Sequence, residues 1–306
     1  MALAAAVTPS RPLLYYADSY EIPLPPGHRF PMGKYAMVRS KLAESGLFDF
    51  AEAPLADPEI VALAHSPDYV RRFLTGTLAP EAQRRIGFPW SRGLVRRTLA
   101  STGGTLAATR QALARGWGGN LAGGTHHAYY DFGSGYCIFN DLAVSILWLR
   151  SKGCARRAAV LDLDVHQGDG TAKLFENDLL VLTISVHGEK NFPARKQISR
   201  IDVPLPSGAG DAEYLAAVAG VLPMVRAFRP EVLFFQAGVD ALAHDRLGTL
   251  SVTLEGLARR DRMGAELARE LGVPFVITMG GGYAIPIEIT AQAHANVFRT
   301  AAETLG

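Results

Sequence analysis

The chain has almost no cysteine. Only Cys137 and Cys154 occur among its 306 residues, and no CxxC spacing is present, which argues against a disulfide framework and against a cysteine zinc site. A reducing compartment fits, and a cytoplasmic location is expected. Charge imbalance is missing too: 31 Lys and Arg against 29 Asp and Glu leave +2, too little to imply nucleic acid as an obligatory partner. One local exception, Arg71, Arg72, Arg84, Arg85, Arg92, Arg96 and Arg97 with only Glu81 among them, lacks interleaved aromatics and reads as a solvated helix face. Long apolar runs are absent. "MALAAAV" is short and has no basic segment before it, and later runs are strand-length and broken by charges, so neither export nor a membrane span is expected. There is no internal repeat, low-complexity tract or convincing linker. The Pro-rich "YEIPLPPGHRFPMGK" predicts irregular structure but is too short to separate domains, so one domain over residues 1–306 is expected.

What is present is alternation. Runs rich in Val, Ile, Leu and Phe occur at "LLYYA", "AAVLDLD", "LLVLTISVH", "VLFFQAG" and "PFVITMGGG". Between them, "LVRRTLASTGGTLAATRQALARG", "NDLAVSILWLRSKG" and "LEGLARRDRMGAELARELG" carry apolar residues at helical spacing with Gly near their ends. Strand and helix in alternation predict an α/β fold with three layers, a central, mostly parallel sheet between helices. In such sheets ligands sit beyond the carboxyl ends of the strands.

Four polar strand ends collect there: "AGGTHHAYYDFGSGYC", "DLDVHQGDG", "QAGVDALAHDRLG" and "TMGGGYA". In an extended chain Asp162, Asp164 and His166 share one face, because successive side chains alternate. Buried carboxylates and imidazoles cost several kcal/mol apiece unless paired or bound to a cation, so their recurrence points to a metal. Asp164 and His166 supply an oxygen and a nitrogen, and Asp240 is the candidate third ligand. Three protein ligands leave a position open, the arrangement of a catalytic site. For "DLDVH" alone, a buried hydrogen-bond network would be a serious rival. His126 and His127 suit general acid/base chemistry, since imidazole titrates near neutral pH. Asp162 and Asp169 can orient the two imidazoles and separate their pKa values. Tyr283 follows three glycines and can donate a hydrogen bond to a developing oxyanion.

These motifs, in this order and over most of the chain from "HSPDYVRRFL" to "MGGGYA", resemble the histone deacetylase superfamily, which includes acetylpolyamine amidohydrolases and bacterial deacetylase-like proteins. The resemblance implies a single arginase-like α/β domain whose site lies in a tunnel of strand-end loops. It implies that Asp164, His166 and Asp240 bind zinc, with ferrous iron as the other ion this donor set suits. His126 and His127 become the tandem catalytic histidines, the second the general base, with Asp162 behind the first and Asp169 behind the second. Tyr283 becomes the residue that polarises the scissile carbonyl. Gly135, Tyr136 and Phe192 become the substrate-binding walls, Tyr136 standing where many members have Phe. A structural potassium ion would draw on Asp162, Asp164, His166 and the Ser185 region. Lys34 or Arg29 is expected to shape an exit channel or bind a released acid.

The implied activity is hydrolysis of an N-acyl amide, most simply acetyl-lysine, in a peptide or small molecule. Acetylpolyamines, longer acyl-lysines, and small amides or esters are the alternative substrates, and a non-catalytic acyl-binding module is the alternative class. "HQG" where many members read "HHG", together with "DRLG", resembles class IV and related bacterial members. The sequence does not specify an oligomeric state.

Overall fold

Eight strands, all paired in parallel, form one sheet in the computed structural model, which describes residues 11–306. The apolar start "MALAAAV" lies outside the described residues. The strands are β1 (Leu13–Tyr16), β2 (Asp49–Glu52), β3 (Trp117–Asn120), β4 (Ala158–Asp162), β5 (Val181–Gly188), β6 (Ile201–Leu205), β7 (Val232–Gln236) and β8 (Phe275–Thr278). Their spatial order is β2-β1-β3-β8-β7-β4-β5-β6. The helices are α1 (Gly33–Glu44), α2 (Pro58–Val61), α3 (Pro67–Thr75), α4 (Pro80–Ile86), α5 (Arg92–Arg115), α6 (Asp141–Ser151), α7 (Asp169–Leu174), α8 (Asp211–Phe228), α9 (Leu254–Leu271) and α10 (Ile287–Leu305).

Continuous apolar runs become central strands because both faces of the sheet are covered. Ala159, Leu161, Leu233, Phe235 and Ile277 point into one apolar cluster with residues of α1, α8, α9 and α10. Ala158, Val160, Val232, Phe234 and Val276 point into the other, with residues of α3, α5 and α6. Alternation along each strand thus fills two cores, each fully buried Val, Leu, Ile or Phe side chain contributing roughly 1.5–3 kcal/mol. Side chains start the helices that flank the site. Ser91 Oγ accepts Leu94 N–H at 3.0 Å before α5, Asn140 Oδ1 accepts Ala143 N–H at 3.0 Å before α6, and Thr253 Oγ1 accepts Gly256 N–H at 3.0 Å before α9.

The expected three-layer α/β/α fold is present, with the sheet wholly parallel. Three strands escape the sequence reading. β2 and β6 are edge strands with half-exposed patterns, and β6 contains Pro204. β3 reads "WGGN", where glycine is a packing demand: a Cβ on Gly118 would lie 2.1 Å from the Ala108 carbonyl of α5. The arginine cluster needs one correction. Arg71 and Arg72 pair with Asp68 and Arg84 with Glu81 on exposed faces, but Arg97 is buried, its guanidinium 4.5 Å from the centre of the Tyr35 ring. A packed aromatic face, rather than water, receives that charge.

Candidate active site

The four polar motifs follow β3, β4, β7 and β8, and these strands are consecutive in the sheet as β3-β8-β7-β4. Residues that stand far apart in the chain therefore meet at one carboxyl edge. Beyond β4 the chain leaves the strand after Asp162, with Leu163 and Val165 fully buried. Those two anchors turn Asp164 and His166 together toward the end of β7, where Asp240 waits.

His166 Nδ1 lies 3.1 Å from Asp164 Oδ1 and 3.1 Å from Asp240 Oδ2. One donor atom from each of the three residues falls within 4.8 Å of the others. The remaining carboxylate oxygens are held by backbone: Gly281 N–H donates to Asp164 Oδ2 at 2.7 Å and Val165 N–H to Asp240 Oδ1 at 2.9 Å. Two buried carboxylates beside a half-buried imidazole demand positive charge. Burial pushes the His166 pKa down, but Asp164 and Asp240 outweigh it and raise it to about 10. Burial and the Asp164 charge push Asp240 up as well. A proton is drawn to the place a cation would fill, so the donor set fits a divalent metal of the nitrogen- and oxygen-binding kind.

The paired histidines stand beside this cluster with ring centres 4.0 Å apart. His126 Nδ1 lies 2.7 Å from Asp162 Oδ2, and His127 Nδ1 lies 2.6 Å from Asp169 Oδ1. Asp169 also accepts the Tyr129 hydroxyl at 2.9 Å. The two imidazoles are driven apart electrostatically. For His126, burial is outweighed by Asp162 and then Asp164, which raise the pKa to about 9. For His127, burial and the neighbouring His126 charge lower it to about 4. One ring is therefore cationic at neutral pH and the other neutral, with its Nδ1 side committed to Asp169.

A cavity of about 390 Å³ opens over these groups. His126, His127, Asp164, His166, Asp240, Tyr283, Gly135, Tyr136 and Phe192 all line it, whereas Asp162 and Asp169 stand behind the histidines. Phe192 meets His127 edge-to-face at 4.8 Å. Tyr136, on the same cavity with Phe30, packs against Phe30 and Phe88 with ring centres 5.2 and 5.1 Å away. Gly135 and Tyr136 both take positive φ, and a Cβ on Gly135 would lie 2.8 Å from His127 Cδ2. Tyr283 is held by its N–H donating to Asp245 Oδ2 at 2.6 Å, and burial raises its phenol well above the usual value.

Two expectations are redrawn. Lys34 is buried on the cavity wall, but its ammonium donates to the Gly280 and Gly282 carbonyls at 3.2 and 3.4 Å, clamping the loop that carries Tyr283. Arg29 lines a neighbouring cavity that shares Tyr283 with the first. Ser185 faces Asp162 across the β4–β5 register and its hydroxyl meets His187 Nδ1 at 3.0 Å. Gln167 is buried away from the cavity, donating to the Gln197 carbonyl and to Asp202.

Three residues that hold the site escape the sequence reading. Asp141 accepts the N–H groups of Gly124 and Thr125 at 3.0 and 2.8 Å and the Thr125 hydroxyl at 2.6 Å, fixing the turn before His126. Gln236 donates to the Gly124 carbonyl at 2.7 Å. Arg260, buried beside Asp261, donates to the Gly238 carbonyl at 2.5 Å, under Asp240. Only the strand-end position of Gln236 and the helix-start position of Asp141 offered a signal.

Comparison with known proteins shows what the chain is similar to. Residues 28–301 match the histone deacetylase domain. An uncharacterized protein of Picosynechococcus is 44% identical over 95% of this chain and 98% of its own. The acetoin utilization protein AcuC of Bacillus subtilis is 32% identical over 78% of this chain and 67% of its own. A probable deacetylase of Archaeoglobus fulgidus is 29% identical over 85% and 77% respectively.

Proposed function

Since this chain belongs to the histone deacetylase family and is an amidohydrolase, we propose that it removes an acetyl group from the side-chain amine of acetyl-lysine, using zinc held by Asp164, His166 and Asp240. The observation that carries this reading is the convergence, on one cavity, of the three-residue cation site, two carboxylate-backed histidines, one cationic and one neutral, and Tyr283. Ferrous iron suits the same donors. A potassium ion beside Asp162 and Ser185 would add further compensation for the clustered acids.

A divalent ion in that site supplies Lewis acidity at the acyl oxygen and makes water easier to deprotonate. The chain's own residues do the rest. Tyr136 and Phe192 flank the aliphatic arm and exclude water from it. His127, neutral and oriented by Asp169, takes a proton from the attacking water. His126, cationic and paired with Asp162, keeps positive charge beside the developing oxyanion, and the Tyr283 hydroxyl donates a hydrogen bond to it. A protonated imidazole then gives its proton to the departing amine, and acetate leaves.

Purified, metal-loaded protein is expected to hydrolyse an acetyl-lysine peptide and to lose turnover with a chelator. Tyr283→Phe and His127→Ala should each lower kcat by roughly a hundredfold or more. Wild-type turnover in both variants would overturn the assigned roles, and chelator-insensitive hydrolysis would overturn the metal.

A further inference from the structure

Two cavities meet at the mouth of the site. The second, about 340 Å³, shares Leu247 and Tyr283 with the first and adds Arg29, Arg246 and Ile285. Three cations from separate segments line the adjoining cavities: Lys190, from the loop after β5, lines the first, and Arg29, from the Pro-rich segment before α1, and Arg246, from the loop after β7, line the second. All three are exposed. Among the described residues none has a carboxylate within ion-pair distance.

No acid answers them on either wall. The carboxylates lining the cavities are Asp164 and Asp240, at the bottom and committed to the cation site. Asp245, next to Arg246, uses its oxygens on the N–H groups of Leu247, Gly248 and Tyr283. The arginines of α3 and α4 show the contrast, since Arg71, Arg72 and Arg84 carry an acid one turn away.

Resting on the deacetylase reading, we infer that this rim selects acetyl-lysines carried by an acidic protein segment. With the lysine arm in the aromatic channel, the residues flanking it lie at the mouth. Carboxylates there meet three unpaired cations, while a Lys- and Arg-rich segment meets like charge and is rejected. The cations also raise the local concentration of an acidic partner before contact.

The test uses one acetyl-lysine peptide in three forms, flanked on both sides by Glu and Asp, by Gln and Asn, or by Lys and Arg. At low salt the acidic peptide should exceed the basic one about tenfold in kcat/KM, equivalent to ~1.4 kcal/mol. The ratio should shrink at high salt, where the screening length falls to about 3 Å. It should approach one in the triple variant R29Q/K190Q/R246Q and persist in R29K/R246K. Equal kcat/KM for the three peptides, or an unchanged ratio in the triple variant, overturns the inference. Anisotropy of the labelled peptides reads the rim without turnover. Preferential binding of the acidic peptide with no hydrolysis of any form would overturn the deacetylase reading and keep the rim, and equal binding would overturn the rim.

Discussion

Acid should weaken this fold through His65, a residue outside the cation-site trio. His65 is fully buried, its Nδ1–H donating to the Tyr129 carbonyl and its Nε2 accepting Asn140 N–H, both at 2.8 Å. The second bond requires a neutral ring. Burial lowers its pKa from 6.5 to about 4 despite the hydrogen bond to Tyr129. Because folding depresses the pKa, the unfolded chain binds the proton more readily. The contribution is therefore complete above pH 6.5 and is lost as the pH falls toward 4. Linkage puts the loss at about 2 kcal/mol by pH 5 and about 3 kcal/mol by pH 4. The measurement is urea unfolding of wild type and His65→Gln at pH 7 and pH 5, with metal present throughout. Glutamine can donate and accept but does not titrate, so every other pH-dependent group cancels in the difference. The wild-type advantage at pH 7 should shrink by about 2 kcal/mol at pH 5, a relative midpoint shift of roughly 0.7 M for a slope near 3 kcal/mol/M. Parallel losses in the two proteins would refute the reasoning.

Three further outcomes follow from the site's supports. Gly281→Ala would place a Cβ 1.9 Å from Asp240 Oδ2, so the purified variant should retain well under one metal per chain by elemental analysis, and full occupancy would contradict the packing argument. Asp141→Ala removes the acceptor of Gly124 and Thr125; kcat should fall roughly tenfold to a hundredfold through a displaced His126–His127 turn, with KM for a neutral peptide changed far less. Lys34→Met frees the Gly280 and Gly282 carbonyls; turnover should fall about tenfold or more while metal content stays, and Lys34→Arg should restore part of it.

The fold was legible where hydrophobic pattern and packing agree. The runs at residues 158–164, 232–238 and 274–282 announced β4, β7 and β8 because both faces of each strand meet apolar neighbours. "WGGN" did not announce β3, since its glycines answer to the approach of α5, which no local pattern encodes. Arg97 illustrates the reverse failure. Composition placed it on a wet helix face, yet only the packing of α5 against Tyr35 decides that it is inside.

The site divides along the same line. Asp162, Asp164, His166, Asp169, Asp240, His126, His127 and Tyr283 were visible because each is chemically conspicuous at a strand end. The structure brings them together with one histidine cationic and the other neutral. Asp141, Gln236 and Arg260 were not singled out because the bonds by which they hold the site's loops go to backbone: carbonyls and N–H groups of Gly124, Thr125 and Gly238. A backbone group looks the same at every position in a sequence, so a side chain that serves one cannot be matched to its partner before the chain is folded. The conspicuous residues name the chemistry, and their geometry is set by partners that become recognisable only in space. That asymmetry makes Asp141→Ala more informative than removal of a predicted ligand, for it alters catalysis without touching a reacting group.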